Sequence, residues 1–232
     1  MSEIVSFIEK PAKAVHRLGM VEDHTLVRDG FRSLVESLPD FQFAWWAGSL
    51  AEARELLRTD PPTVLTTDIS LPDGSGLDLI KEAGAMNPPV PVLVLSMHDE
   101  TIYARRALKD GAKGYLMKTA AQEDIVDALT KVATGRVYIS SQMSETMLQS
   151  LRNDGPQHAE PSLRALSDRE FEVFQLIGEG LSSLKIGVAL RISPKTVDVH
   201  KMNIRNKLGL SQGVSLTAYA IRWSEARKLA GG

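Results

Sequence analysis

Residues 63–80 read TVLTTDISLPDGSGLDLI. The short apolar run Thr63–Thr67 ends on Asp68, and an amphipathic stretch, Leu77–Met86, follows after a polar loop. A run of that length suits a buried strand, and the stretch after it has the spacing of a helix. The same unit recurs on both sides. Upstream, the apolar runs Leu18–Val21 and Phe41–Ala47 are followed by amphipathic Thr25–Leu38 and Leu50–Thr59. Downstream, Val90–Ser96 and Gly114–Met117 are followed by Glu100–Asp110 and Ala121–Thr134. Five strands alternating with five helices predict an α/β fold, a parallel sheet covered on both faces. Such sheets bind ligands at the carboxyl ends of their strands.

The rest of the chain divides around this body. Residues 1–13 are polar, end near Pro11 and read as a tail; residues 14–151 form the α/β domain. Residues 152–164, RNDGPQHAEPSLR, hold Gly155, Pro156 and Pro161 without apolar periodicity and read as a linker. Residues 165–232 carry only helical patterns. Ser167 with Glu170 three residues on is a capping box opening a helix with Phe171, Phe174 and Ile177 on one face, and Gly180 ends it. A short helix, Ser182–Leu190, follows. Ser193-Pro194 supplies an N-cap and a first-turn proline for a helix to Leu208, closed by Gly209. A last helix covers roughly residues 214–229.

The chain has 232 residues, 43% hydrophobic and 24% charged, the make-up of a globular protein. No apolar run approaches the roughly 18 residues of a membrane helix, and no basic segment followed by an apolar core opens the chain. The absence of cysteine excludes disulfides, cysteine-type zinc sites and thiol catalysis, and fits the cytoplasm. The net charge of −2 is split: residues 163–232 carry +5 and residues 1–162 carry −7. A basic end on an acidic body points to a polyanion partner for that end.

At the carboxyl edge of the expected sheet, the first strand ends in Glu22-Asp23 and the third in Asp68. Converging carboxylates repel one another, a conflict that Mg²⁺ relieves while keeping room for water and a phosphate oxygen. The fourth strand ends at the hydroxyl of Ser96, and the fifth is followed by Lys118, a point charge suited to a phosphoryl oxygen. An acidic pair at a strand end is ordinarily a solvated loop, and a lone lysine says almost nothing. The joint pattern, in order and each at a strand terminus, is what points to phosphoryl chemistry.

These segments resemble the receiver domain of two-component signalling. MVEDH is similar to its acidic-pair segment, TTDISLPDGSGLDLI to its acceptor strand and loop, VLVLSMHDE to its switch-hydroxyl strand and GAKGYLMK to its closing aromatic–x–x–lysine. The resemblance implies a flavodoxin-like fold, Asp68 as phospho-acceptor, and Mg²⁺ held by Glu22, Asp23, Asp68 and the backbone carbonyl of Ser70. It makes Ser96 the switch hydroxyl, Tyr115 the switch aromatic and Lys118 the phosphate contact, with a histidine kinase as donor. Ser70 and His98 would line the path of the hydrolytic water, although His98 reads as well as a solvated loop residue. Thr119 replaces the proline many members have after the lysine, so a trans bond is expected there. Gly19 interrupts a strand where a branched residue is more usual. Of Trp45-Trp46, one is expected in the core and the other against the following helix.

Along residues 194–208, Val197, Ile204 and Leu208 share one face, with His200 beside them. Lys195, Asp198, Val199, Met202 and Asn206 face the other way, flanked by Lys201, Arg205 and Lys207. LSDREFEVFQLIGEGLS and ISPKTVDVHKMNIRNKLGL resemble the LuxR-type helix-turn-helix, and the whole chain resembles the NarL/FixJ response regulators. That implies a small all-α domain binding double-stranded DNA. Lys195, Thr196, Lys201 and Arg205 would contact phosphates, and Asp198, Val199 and Met202 would face base edges. Gly187, where alanine is common, suggests looser packing of the two helices. Leu216, Tyr219, Ala220 and Trp223 on the last helix pack on their own domain, and the family adds homodimerisation when phosphorylated or DNA-bound.

Other classes explain less. A haloacid-type phosphatase needs a second aspartate where Ser70 stands. A ligand-sensing regulator would leave the acidic pocket unexplained, and a phosphate-independent receiver would not need the full residue set. The expected class is therefore a transcription regulator and not an enzyme. Two switches fit the sequence: the acidic domain covers the recognition helix until phosphorylated, or phosphorylation drives dimerisation.

Overall fold

The computed structural model describes residues 15–97, 100–152, 163–190, 192–211 and 213–230. The α/β domain is built from β1 (His16–Val21), α1 (Thr25–Glu36), β2 (Phe41–Ala47), α2 (Leu50–Thr59), β3 (Val64–Thr67), β4 (Ser70–Leu71), β5 (Gly74–Ser75), α3 (Asp78–Gly84), β6 (Val92–Ser96), α4 (Glu100–Lys109), β7 (Gly114–Met117), α5 (Gln122–Ala133) and α6 (Ser141–Arg152). A 3-10 turn at Leu163–Ala165 leads into α7 (Asp168–Gly178), α8 (Ser183–Ala189), α9 (Pro194–Lys207) and α10 (Leu216–Ala230).

The main sheet is parallel in the order β2-β1-β3-β6-β7. Its central strands are buried on both faces, as in Val64–Thr67 and Val92–Ser96, which is why they read as continuous apolar runs. The order reverses direction at β1 and β3. The crevice beyond their carboxyl ends is where ligands enter such sheets. The ladder continues one residue past each strand there: Glu22 N donates to Ala47 O, Asp68 N to Val21 O and Lys118 N to Ser96 O, each at 2.9 Å. The side chains that follow the strands therefore start from fixed backbone.

Two elements were not expected. The hairpin β4–β5 forms in the polar loop after Asp68, and Asp73 at its tip accepts from the N–H groups of Leu50 and Ala51, tying the loop to the start of α2. The helix α6 packs near α4, with Met143 buried and Ser140 donating to Glu100 at 2.7 Å. Its apolar residues Met143, Met147, Leu148 and Leu151 recur at helical spacing, a signal present in the sequence. The expected tail, His98 and most of the expected linker lie outside the described residues. Leu163, assigned to the linker, is buried in the 3-10 turn.

Three glycine and tryptophan expectations gain a physical reason or are corrected. A Cβ on Gly19 would lie 2.7 Å from the Trp45 ring, so the missing side chain makes room for that indole. Trp45 is in the core and donates to Asp60 O at 2.8 Å. Trp46 packs not on the following helix but on the preceding one, with the Arg28 guanidinium 4.5 Å from the indole centroid. Gly187 does not loosen its helix: a Cβ there would lie 2.7 Å from Ile192 O, so glycine permits a close approach between α8 and the turn. The Lys118–Thr119 bond is trans, as expected.

Candidate functional site: an acidic pocket and an exposed helix

Glu22 and Asp68 are buried at the ends of β1 and β3, and Asp23 stands beside them. Lys118, at the end of β7, bonds Asp68 Oδ2 at 2.8 Å and also pairs with Glu22. Asp68 Oδ1 accepts from Ile69 N at 2.7 Å. Burial pushes the Asp68 carboxyl up, Lys118 pulls it down, and the neighbouring Glu22 pushes it up again; the balance is upward. Three carboxylates against one ammonium leave this pocket short of positive charge.

His24 was overlooked in the sequence. Its Nδ1 lies 2.9 Å from Glu22 Oε1 and 2.8 Å from Asp23 Oδ1. The signal was available: a histidine directly after an acidic pair that closes a strand. Ligand atoms of Glu22, Asp23, His24 and Asp68 all lie within 4.8 Å of one another. That compact, mostly carboxylate set fits a hard divalent cation.

Ser96 closes β6, fully buried, and Tyr115 on β7 pairs opposite Val94. Tyr115 is fully buried in the core. Ser70, in the hairpin after Asp68, donates its hydroxyl to Glu172 of α7 at 2.9 Å.

The second site lies on α9. Its N-cap Ser193 accepts from Thr196 N at 3.0 Å, and Val197 and Ile204 are buried. Lys195, Thr196, Asp198, Val199 and Met202 are exposed, the last two at 45% and 57%. Lys201 and Arg205 are half-buried. Lys201 donates to Ser183 Oγ at 2.7 Å, and that hydroxyl donates to Asp198 at 2.8 Å, so the α8 serine orders both side chains. Arg205 donates to the carbonyls of Val214 and Ser211 and supports the turn before α10. Lys207 closes on Glu170 of the α7 capping box at 2.6 Å. Behind α9, Phe174 packs on Tyr219 and Trp223 of α10, the expected own-domain packing.

A strand-end carboxylate cluster with one lysine, joined to a capped helix presenting small and basic side chains, matches two known families. Residues 19–130 match the response regulator receiver domain, and residues 164–220 match the bacterial regulatory proteins of the luxR family. The oxygen regulatory protein NreC of Staphylococcus carnosus is 32% identical over 89% of this chain and 97% of its own.

The chain belongs to the NarL/FixJ family of response regulators. It pairs a receiver with a LuxR-type DNA-binding domain, a class of transcription regulators and not of enzymes. Among solved structures, a LuxR-family two-component response regulator from Aurantimonas sp. SI85-9A1 is 26% identical, covering 60% of this chain and all of that one, at a TM-score of 0.56. RcsB of Salmonella typhimurium is 25% identical, covering 89% of this chain and 98% of its own, at 0.55. Among the described residues of this regulator, no helix is long and apolar enough to cross a membrane.

Proposed function

We propose that Asp68 is the phospho-acceptor and that its phosphorylation by a histidine kinase controls DNA binding through α9. The buried Asp68 carboxylate, bridged to Glu22 by Lys118 at the crevice of the sheet, carries this reading. A carboxylate oxygen would attack the phosphorus of a phosphohistidine, forming the O–P bond as the imidazole nitrogen leaves. Lys118, already on Asp68, would hold a phosphoryl oxygen, and Ser96 would donate to another. Glu22, Asp23, Asp68 and the Ser70 carbonyl would hold Mg²⁺, which would neutralise charge on the phosphoryl oxygens. Its removal should abolish phosphorylation.

On DNA, Lys195, Thr196 and Lys201 would meet phosphates, and Asp198, Val199 and Met202 would read base edges. Arg205 would join the phosphate contacts only by exchanging one of its carbonyl partners. The regulator would work in the cytoplasm and bind a two-fold operator as a homodimer. Covering of the recognition helix is not the favoured switch, because Val199 and Met202 stay exposed while the receiver holds α7. Dimerisation is favoured instead.

The test is phosphoryl uptake from acetyl phosphate with Mg²⁺, followed by intact mass. One phosphoryl group per chain is expected, lost in Asp68→Asn and with chelator. Uptake unchanged in Asp68→Asn would overturn the assignment.

A further inference from the structure

The DNA-binding domain reaches the receiver through one face of α7. Phe171 meets Tyr103 edge to face at 5.8 Å, and Arg106 of α4 stacks over Phe171 at 5.0 Å and donates to Leu166 O. The Tyr103 hydroxyl donates to Gln175 Oε1 at 2.7 Å. Between these contacts, Ser70 Oγ donates to Glu172 Oε1 at 2.9 Å. Ser70 stands two residues after Asp68 and opens the hairpin β4–β5.

Glu172 is 2% exposed. A carboxylate buried to that degree is costly unless its oxygens are partnered. Arg169 pairs with Glu172 Oε2 at 2.7 Å and also donates to Leu190 O, so the carboxylate is clamped from its own domain on one side. Ser70 partners it from the other domain. Pulling Ser70 away would cost Glu172 a hydrogen bond in a place with little water to replace it. The geometry of the loop after Asp68 is therefore tied to the docking of α7.

We propose that Glu172 is a positioning residue for the acceptor loop: through Ser70 it restrains the loop beside Asp68, so that the docked DNA-binding domain slows phosphoryl uptake. This rests on the reading of Asp68 as acceptor. The same residue that turns its hydroxyl to Glu172 would offer its backbone carbonyl to Mg²⁺, and a loop held for one partner is less free to adjust to the other. The coupling is reciprocal at equilibrium. If α7 docking disfavours the phosphorylated loop by some factor, phosphorylation weakens docking by that factor. The DNA-binding domain would thus be a regulator of the receiver as well as its output.

The experiment uses the full chain. Phosphoryl uptake from acetyl phosphate with Mg²⁺ is followed by intact mass for the wild type, Glu172→Ala, Ser70→Ala and the double variant. Gln175→Ala weakens docking of the same face at a different contact, and Glu179→Ala, at the C-cap of α7, is an exposed control. Glu172→Ala is expected to raise the uptake rate about fivefold, and Gln175→Ala to raise it in the same direction. In the Ser70→Ala background, Glu172→Ala should add less than twofold, since the two residues act through one bond. A purely structural role for Glu172 would give effects that multiply. Magnesium affinity, read by tryptophan fluorescence with Trp46 donating to the Glu22 carbonyl, should rise in Glu172→Ala and not in Glu179→Ala. If the wild type takes up no phosphoryl group on Asp68, the acceptor assignment falls and this proposal with it. If Asp68 is phosphorylated normally but Glu172→Ala stays within twofold of wild type, or its effect multiplies with that of Ser70→Ala, the role of Glu172 is overturned and the acceptor assignment stands.

Discussion

Gly19 and Trp45 are a matched pair. The indole occupies the space where a side chain on β1 would stand, at a point where the β1–β2 register shifts between Leu18 and Gly19. Gly19→Ala should cost about 1–3 kcal/mol by overpacking, read as a lower denaturation midpoint; an unchanged midpoint would mean the ring has room to move. Glu170 gives a pH-dependent prediction. Burial pushes its carboxyl up, but Lys207 and the two capping bonds with Ser167 outweigh burial and hold it below the usual carboxylate range. Its folded value is lower than its unfolded value, so its contribution is present above the ordinary carboxylate pKa and is lost as pH falls through the folded value. Glu170→Ala should destabilise the DNA-binding domain by about 1–2 kcal/mol at pH 7. The gap to wild type should narrow in acid; a constant gap would show that the charge is not involved. At this scale the sequence was most legible where a residue's type and near neighbours specify its role, as at the helix caps Ser167, Glu170 and Ser193. It was least legible where a residue's role depends on a distant neighbour. His24 reaches back to the acidic pair, and Gly19 answers to a ring 26 positions on.

Among the elements, all five strands and the five helices paired with them could be read because each buries both faces or one clean stripe. The hairpin β4–β5 could not, because two-residue strands carry no period. The helix α6 could have been, since Met143, Met147, Leu148 and Leu151 recur at helical spacing. The helix α9 was legible in both its faces, and its division of labour can be measured. Lys201→Ala should weaken binding to all DNA sequences alike and reduce the salt slope by about one unit. Its bond to Ser183 is one a phosphate can replace. Substituting Met202 or Asp198 should instead change preference among sites, by about 1–3 kcal/mol per affected base pair. Anisotropy titrations over a salt series separate the two. A change of preference without a change of slope for Lys201→Ala would mean that the helix is rotated on the groove.

For the whole molecule, the charge split of −7 against +5 suggested that the domains attract one another as opposite charges. The contact itself is built differently. The Tyr103 ring and the Arg106 guanidinium packed on Phe171, with the hydrogen bonds of Ser70 and Gln175, hold α7, and Val199 and Met202 of α9 are left exposed. Docking should therefore resist salt. The radius of gyration by small-angle scattering should be the same at about 50 mM and about 500 mM salt, although the Debye length falls severalfold across that range; expansion at high salt would restore the charge-attraction account. On this reading, phosphorylation of Asp68 governs DNA binding. The most direct measurement is the affinity of the full chain for a duplex selected from a random pool, with and without acetyl phosphate and Mg²⁺, for wild type and Asp68→Asn. Tighter binding on phosphorylation in the wild type and no change in Asp68→Asn is the predicted result. Equal affinity in all four conditions, or a gain that survives Asp68→Asn, would contradict it.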